Sequence, residues 1–174
     1  MREVLQRLLQ TIRFERDAFV WMDFNDRATG DALVFVLVTQ LLLLLGAGAS
    51  LFGLVLSLTA LIQSLLFALV QWLLYAGIVY AAVRYLFQGE GGFAIYLRIA
   101  GFAYPTLLVL IFTSRVIPSE ILAFILGYAW YLTIVAFGTH YISDLDMAKS
   151  AAASVLGIVG SVIVFSIFSG GILF

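Results

Sequence analysis

The chain has 174 residues, 64% of them hydrophobic and 11% charged, with a net charge of −1. Soluble domains run close to half apolar and a quarter charged, and a chain this short cannot hide so much apolar surface from water; lipid must be the solvent for much of it. The near-neutral balance makes no electrostatic case for nucleic acid, and the lack of cysteine excludes disulfides, thiolate metal sites and a cysteine nucleophile.

Residues 1–31 read as a cytoplasmic or interfacial arm. Met1, Val4, Leu5, Leu8, Leu9 and Ile12 fall within a stripe of about 140° at helical periodicity, opposite Arg2, Glu3, Gln6, Arg7, Gln10 and Arg13. That pattern predicts a helix lying along the membrane surface. Its scattered charges are not those of a secretory leader, so the first long apolar segment is expected to direct insertion. Phe14, Phe19, Trp21 and Phe24 follow among acids and arginines, and headgroup depth is expected for them. The arm lacks a polybasic run for anionic lipid. Its bland role is to position the first span, and its sharper one is to dock a cytoplasmic or membrane protein partner.

Ala32 to Val83 carries no formal charge. A spanning helix needs about 20 residues, so this run suits two spans, about 32–48 and 59–85, with the break in Gly46-Ala47-Gly48-Ala49-Ser50 where glycines relax the backbone. The third span, about 93–113, follows the loop Gly89-Glu90-Gly91-Gly92. Pro105 predicts a kink between Gly101 and Pro105, and Arg98, near the start of this span, is expected to snorkel to the headgroups. Ser119 is placed as the N-cap of a fourth span, about 121–142. Ser143 and Asp146 approximate a capping box for a fifth, about 147–168, with Ser143 as the cap. The fold class is therefore all-α: a polytopic transmembrane bundle of five spans behind an amphipathic interfacial helix.

With the N-terminus inside, every lysine and arginine except Arg115 falls on the cytoplasmic side. The positive-inside rule thus gives a multi-pass cell-membrane protein with a cytoplasmic N-terminus and a non-cytoplasmic C-terminus.

The polar constellations are sparse. His140, Asp144 and Asp146 cluster in sequence, but capping explains the acids, headgroup depth explains the histidine, and a metal site needs more convergent ligands. Gln40, Gln63 and Gln71 are the candidate intramembrane polar contacts; Gln63 and Gln71 lie about 80° apart around one helix, and hydrogen bonding between helices is their expected role. Ala153, Gly157 and Ser161 form a small-residue stripe that permits close helix approach, within the bundle in preference to a homo-oligomer. No H-E-x-x-H, G-x-S-x-G or phosphate-binding glycine loop occurs, so neither an enzyme nor a cofactor is expected.

Gly101-Phe102-Ala103-Tyr104-Pro105 resembles the Gly-Tyr-x-x-Pro motif of the Yip1-domain family, with Phe102 standing where that family has tyrosine. Trp130 and then Lys149-Ser150-Ala151 add a softer likeness, as do the short arm and the five spans. The Asp-Leu-Tyr-Gly-Pro stretch of eukaryotic members has no counterpart, so the chain resembles the prokaryotic branch. The resemblance implies a non-enzymatic scaffold, adaptor or membrane-organising protein with membrane lipids as surroundings. The alternative is a small permease or channel subunit with a pathway between the helices.

Overall fold

A computed structural model describes residues 2–46 and 57–168, with the backbone alone described for Glu120 and Phe168. The expected break between the first two spans, and the end of span one at Gly48, lie outside those residues. The described elements are helical: α1 (Arg2–Ile12), α2 (Arg16–Phe24), α3 (Ala28–Gly46), α4 (Leu58–Ala81), α5 (Phe93–Ala103), α6 (Val109–Val116), α7 (Glu120–Ser143) and α8 (Met147–Phe168).

Five helical stretches among the described residues have the length and hydropathy to cross a membrane: Ala28–Gly46, Leu58–Leu86, Phe93–Val116, Ile121–Ser143 and Met147–Ile167. The first begins four residues ahead of the expected 32–48, and its first turn carries Asp31, an acid that suits the positive end of the helix dipole. Burial separates the five. In the third span 67% of the most apolar window is buried inside the protein, against 22% in the first and 28% in the fifth. The third span is therefore the central post, and α3, α4 and α7 pack around it.

That central span changes geometry partway. α5 passes into a 3-10 segment over Tyr104–Leu108, with Pro105 in its first turn, before α6 resumes. Proline has no amide hydrogen to give the Gly101 carbonyl, and the amide of Tyr104 takes that acceptor instead. Tightening to three residues per turn keeps the carbonyl satisfied inside a medium that offers no water.

Close approach is set by small residues. A Cβ on Gly101 would come within 2.5 Å of the Ala32 Cβ on α3, and one on Gly157 within 2.6 Å of Tyr75 and Val79 on α4. Gly138 likewise lies against Phe19 and Ile99. Glycine at these points lets the backbones close to dispersion contact, the main attraction between helices in lipid.

The connections at the arm end are held by backbone hydrogen bonds. α4 ends in a π-helical turn, Ala82–Leu86, in which the Phe87 amide reaches back to the Ala82 carbonyl. Gly91 then adopts φ +100°, and a Cβ there would also meet the Tyr96 hydroxyl at 2.8 Å. That hydroxyl donates to the Glu90 carbonyl, and the Glu90 amide to the Ser143 carbonyl at 3.2 Å, tying the loop to the end of α7. At the opposite end Ser119 Oγ accepts from the Leu122 amide at 3.4 Å and caps α7, as its position before an apolar run predicts.

The cap of α8 differs from expectation. Asp146 Oδ1 accepts the Lys149 amide at 2.8 Å, so Asp146 itself is the N-cap. Ser143 closes α7 instead, donating to the Thr139 carbonyl at 2.6 Å, and Asp144 makes the reversal in the left-handed region at φ +54°. Ser143 and Asp146, which read as one capping box, thus divide between the end of one helix and the start of the next.

Candidate functional site

The arm does not simply lie beside the bundle. Phe19 and Met22, on one face of α2, are fully buried, and Phe19 stacks at 5.7 Å on Tyr141 of α7. Trp21 meets Phe102 edge-on at 6.0 Å, and Phe14 lies 5.0 Å from Phe137. The aromatics expected at headgroup depth are thus largely protein contacts; Phe24 alone of the four is strongly exposed, at 84%. α1 is stitched to α2 by the Arg7 guanidinium, 5.6 Å over the Trp21 ring. Val4 and Leu8 pack inward, while Leu5 and Leu9 stay exposed.

Arg98 holds this arrangement. Its side chain does not snorkel outward; the residue is 5% exposed and aims into the junction between α2 and α3. Nη1 donates to the Met22 carbonyl at 2.7 Å and to the Asp23 carbonyl at 3.3 Å. Nε donates to Thr29 Oγ1 at 2.8 Å, and Nη2 to Asp26 Oδ1 at 2.7 Å. The last carbonyls of α2 have no partner of their own and carry the negative end of its dipole. A planar, permanently charged fork answers both needs, where a lysine would supply a single point charge. One side chain from the central span therefore clasps the end of α2, the following turn and the start of α3.

A polar seam runs deeper between the spans. Gln40 Nε2 donates to Ser64 Oγ at 2.9 Å, linking α3 to α4. The Trp72 indole donates to the Leu97 carbonyl at 2.9 Å. Tyr75 shares hydrogen bonds with Ser154, whose Oγ donates to the Leu132 carbonyl at 2.9 Å, joining α4, α8 and α7. Gln40 and Gln71 both border a crevice of about 350 Å³, alongside Tyr104, Tyr128 and Ile158. Gln63, in contrast, is exposed on the outside of α4, so it and Gln71 do not share an inward face. A helix apolar on all sides gives no sign of which flank meets lipid.

The remaining residues singled out in the sequence lie as follows. Ala153 and Ser161 are fully buried on the same flank of α8 as Gly157, and Ser161 Oγ donates to the Gly157 carbonyl at 2.7 Å. His140 Nδ1 stands 2.6 Å from the Leu145 carbonyl, which makes Nδ1 the protonated nitrogen, while Asp146 faces the Lys149 ammonium at 3.5 Å. The three polar groups are thus spent on helix ends. The sequence reading missed Arg98 as an organiser, along with Thr29 and Asp26. A signal existed: a lone arginine six residues into the most buried span, with two acids, Asp23 and Asp26, in the last turn of α2 and the connection after it.

Comparison with curated proteins gives no match, and no solved structure matches the chain. A sequence model described as the Yip1 domain matches residues 9–169. That stretch takes in the arm's aromatics, the Arg98 clasp and all five spans, so the chain belongs to the Yip1 domain family.

Proposed function

We propose that this integral membrane protein is a non-enzymatic scaffold of the cell membrane, recruiting a protein partner through its N-terminal arm. The observation that carries the reading is the Arg98 clasp. It grips the end of α2 by two carbonyls, and the turn and α3 behind it by Asp26 and Thr29, so the arm is a fixed part of the protein's surface. α1, joined to it through Arg7 and Trp21, keeps Leu5 and Leu9 outward as a small apolar edge. Pre-organised surface of this kind lowers the entropic cost of association. The distribution of lysine and arginine supports a cytoplasmic position for this end.

The test is gentle extraction of the full chain and of a variant lacking residues 2–13, followed by mass spectrometry of co-purifying proteins. A stoichiometric partner present with the full chain and lost from the truncated one supports the scaffold. Retention of the same partners by both would refute the arm's role.

The crevice bordered by Gln40 and Gln71 favours a second reading, a small permease with its path between α3, α4 and α8. On that reading Gln71→Ala abolishes uptake of a solute while deletion of 2–13 leaves it intact; the scaffold reading requires that the deletion lose the protein partner and Gln71→Ala keep it.

A further inference from the structure

At the end of the bundle opposite the arm, a cavity of about 740 Å³ opens between the ends of α3 and α6 and the start of α7. The volume lies within the range of about 300–1,000 Å³ typical of ligand sites. Ser114, Arg115 and Pro118 form its rim, where the third span ends, and Leu43, Ile111 and Phe124 line its wall. Leu43, Leu110 and Phe124 also border the crevice next to it, so the two volumes share walls and lead toward the membrane interior.

Arg115 is the charged group of this rim. Its Nη2 donates to the Gly46 carbonyl at 2.7 Å, at the C-terminal end of α3. The guanidinium is thereby fixed across the mouth, and among the described residues the Gly46 carbonyl takes one of its five donors. The ion pairs among the described residues are Arg98 with Asp26 and Lys149 with Asp146, and Arg115 belongs to neither. A planar guanidinium on the rim of an apolar slot matches a phosphate above a hydrocarbon chain.

We infer that this cavity binds one anionic glycerophospholipid, its phosphate on Arg115 and one acyl chain running down past Leu43 and Phe124. The charge complementarity selects an anionic headgroup, and the shared walls give the chain its direction. A soluble phosphate compound would leave the apolar slot unfilled. A neutral lipid would gain the slot but leave the guanidinium without a net counter-charge.

The full-length protein is purified in nonionic detergent, supplied with equal amounts of phosphatidylglycerol and phosphatidylcholine, and examined by native mass spectrometry. One phosphatidylglycerol is expected to be retained in preference to phosphatidylcholine. Arg115→Gln is expected to lower that preference by about tenfold or more, the loss of a charge-assisted contact, while Arg115→Lys keeps part of it. Arg115 is exposed, so these variants leave the packed core unaltered, and an unchanged thermal midpoint in phosphatidylcholine alone checks this. Equal retention of the two lipids by the wild type, or an undiminished preference in Arg115→Gln, overturns the inference. Inorganic phosphate displacing phosphatidylglycerol at equal concentration would also overturn it, because the acyl chain would then contribute nothing.

Discussion

Arg98 and Asp26 form one ion pair with very unequal consequences. The arginine side chain is 6% exposed and the aspartate side chain fully exposed. Most of what Arg98 contributes therefore comes from the α2 carbonyls and Thr29, because an exposed partner is screened by water. Arg98→Met is expected to destabilise the protein by about 2–3 kcal/mol, the scale of lost charged hydrogen bonds to otherwise unpaired carbonyls. Asp26→Asn should have a much smaller effect. Denaturation in mixed micelles measures the first difference, and limited proteolysis of the arm shows whether α2 has come loose. Equal effects of the two variants would mean that the ion pair, and not the helix end, is what Arg98 serves. Glycines permit a similar comparison. Gly101→Ala drives a methyl into Ala32 on α3 and should cost about 1–3 kcal/mol through overpacking. Gly30→Ala meets nothing within 4 Å and should be neutral or slightly stabilising, because alanine suits a helix better.

Among the elements, the start of α8 is where pH enters. The Asp146 carboxyl lies below its ordinary range, first because the Lys149 backbone amide bonds it and then because the Lys149 charge is near. A carboxylate whose folded value is depressed stabilises the fold at pH above the unfolded value, about 3.9, and that contribution is lost as pH falls through the folded value. Protection of the first-turn amides of α8, taken relative to their intrinsic exchange rate at each pH, should therefore fall in acid, and Asp146→Ala at pH 6 should show the low protection of the acid wild type. If Asp146→Ala left that exchange unchanged at pH 6, the cap would belong to another residue. The sequence showed that a cap was needed between Ser143 and Asp146, and chain direction alone could not say which residue supplied it. Both spacings satisfy the local pattern. What decides is that Asp144 turns left-handed, which leaves Ser143 as the last residue of α7.

At the scale of the whole molecule, five membrane crossings would put α1 and the end of α8 on opposite faces, as the positive-inside bias predicts. With the arm cytoplasmic, a reporter enzyme fused after Phe174 is expected to be active only on the non-cytoplasmic side, and one fused ahead of Met1 only in the cytoplasm. Cytoplasmic activity at both ends would contradict the odd number of spans. The same architecture puts an arginine site at each end of the bundle, the Arg98 clasp at one and the Arg115 cavity at the other.

The sequence by itself determined the solvent, the number of spans and the family, because hydropathy, helix-breaking residues and short motifs add up along one dimension. The all-α class followed from the absence of water in the bilayer, which obliges each segment to satisfy its own backbone. Pro105 marked the place where the central span leaves α geometry for the same reason, since a missing amide is a local fact. Which flank of each span faces protein was decided only by the tertiary structure. Lipid and protein interior are about equally apolar, so a spanning helix carries no hydrophobic stripe to show its inward side. That is why Gln40 finds Ser64 while Gln63 faces outward, and why Arg98, placed by sequence at the headgroups, turns inward to close the end of α2.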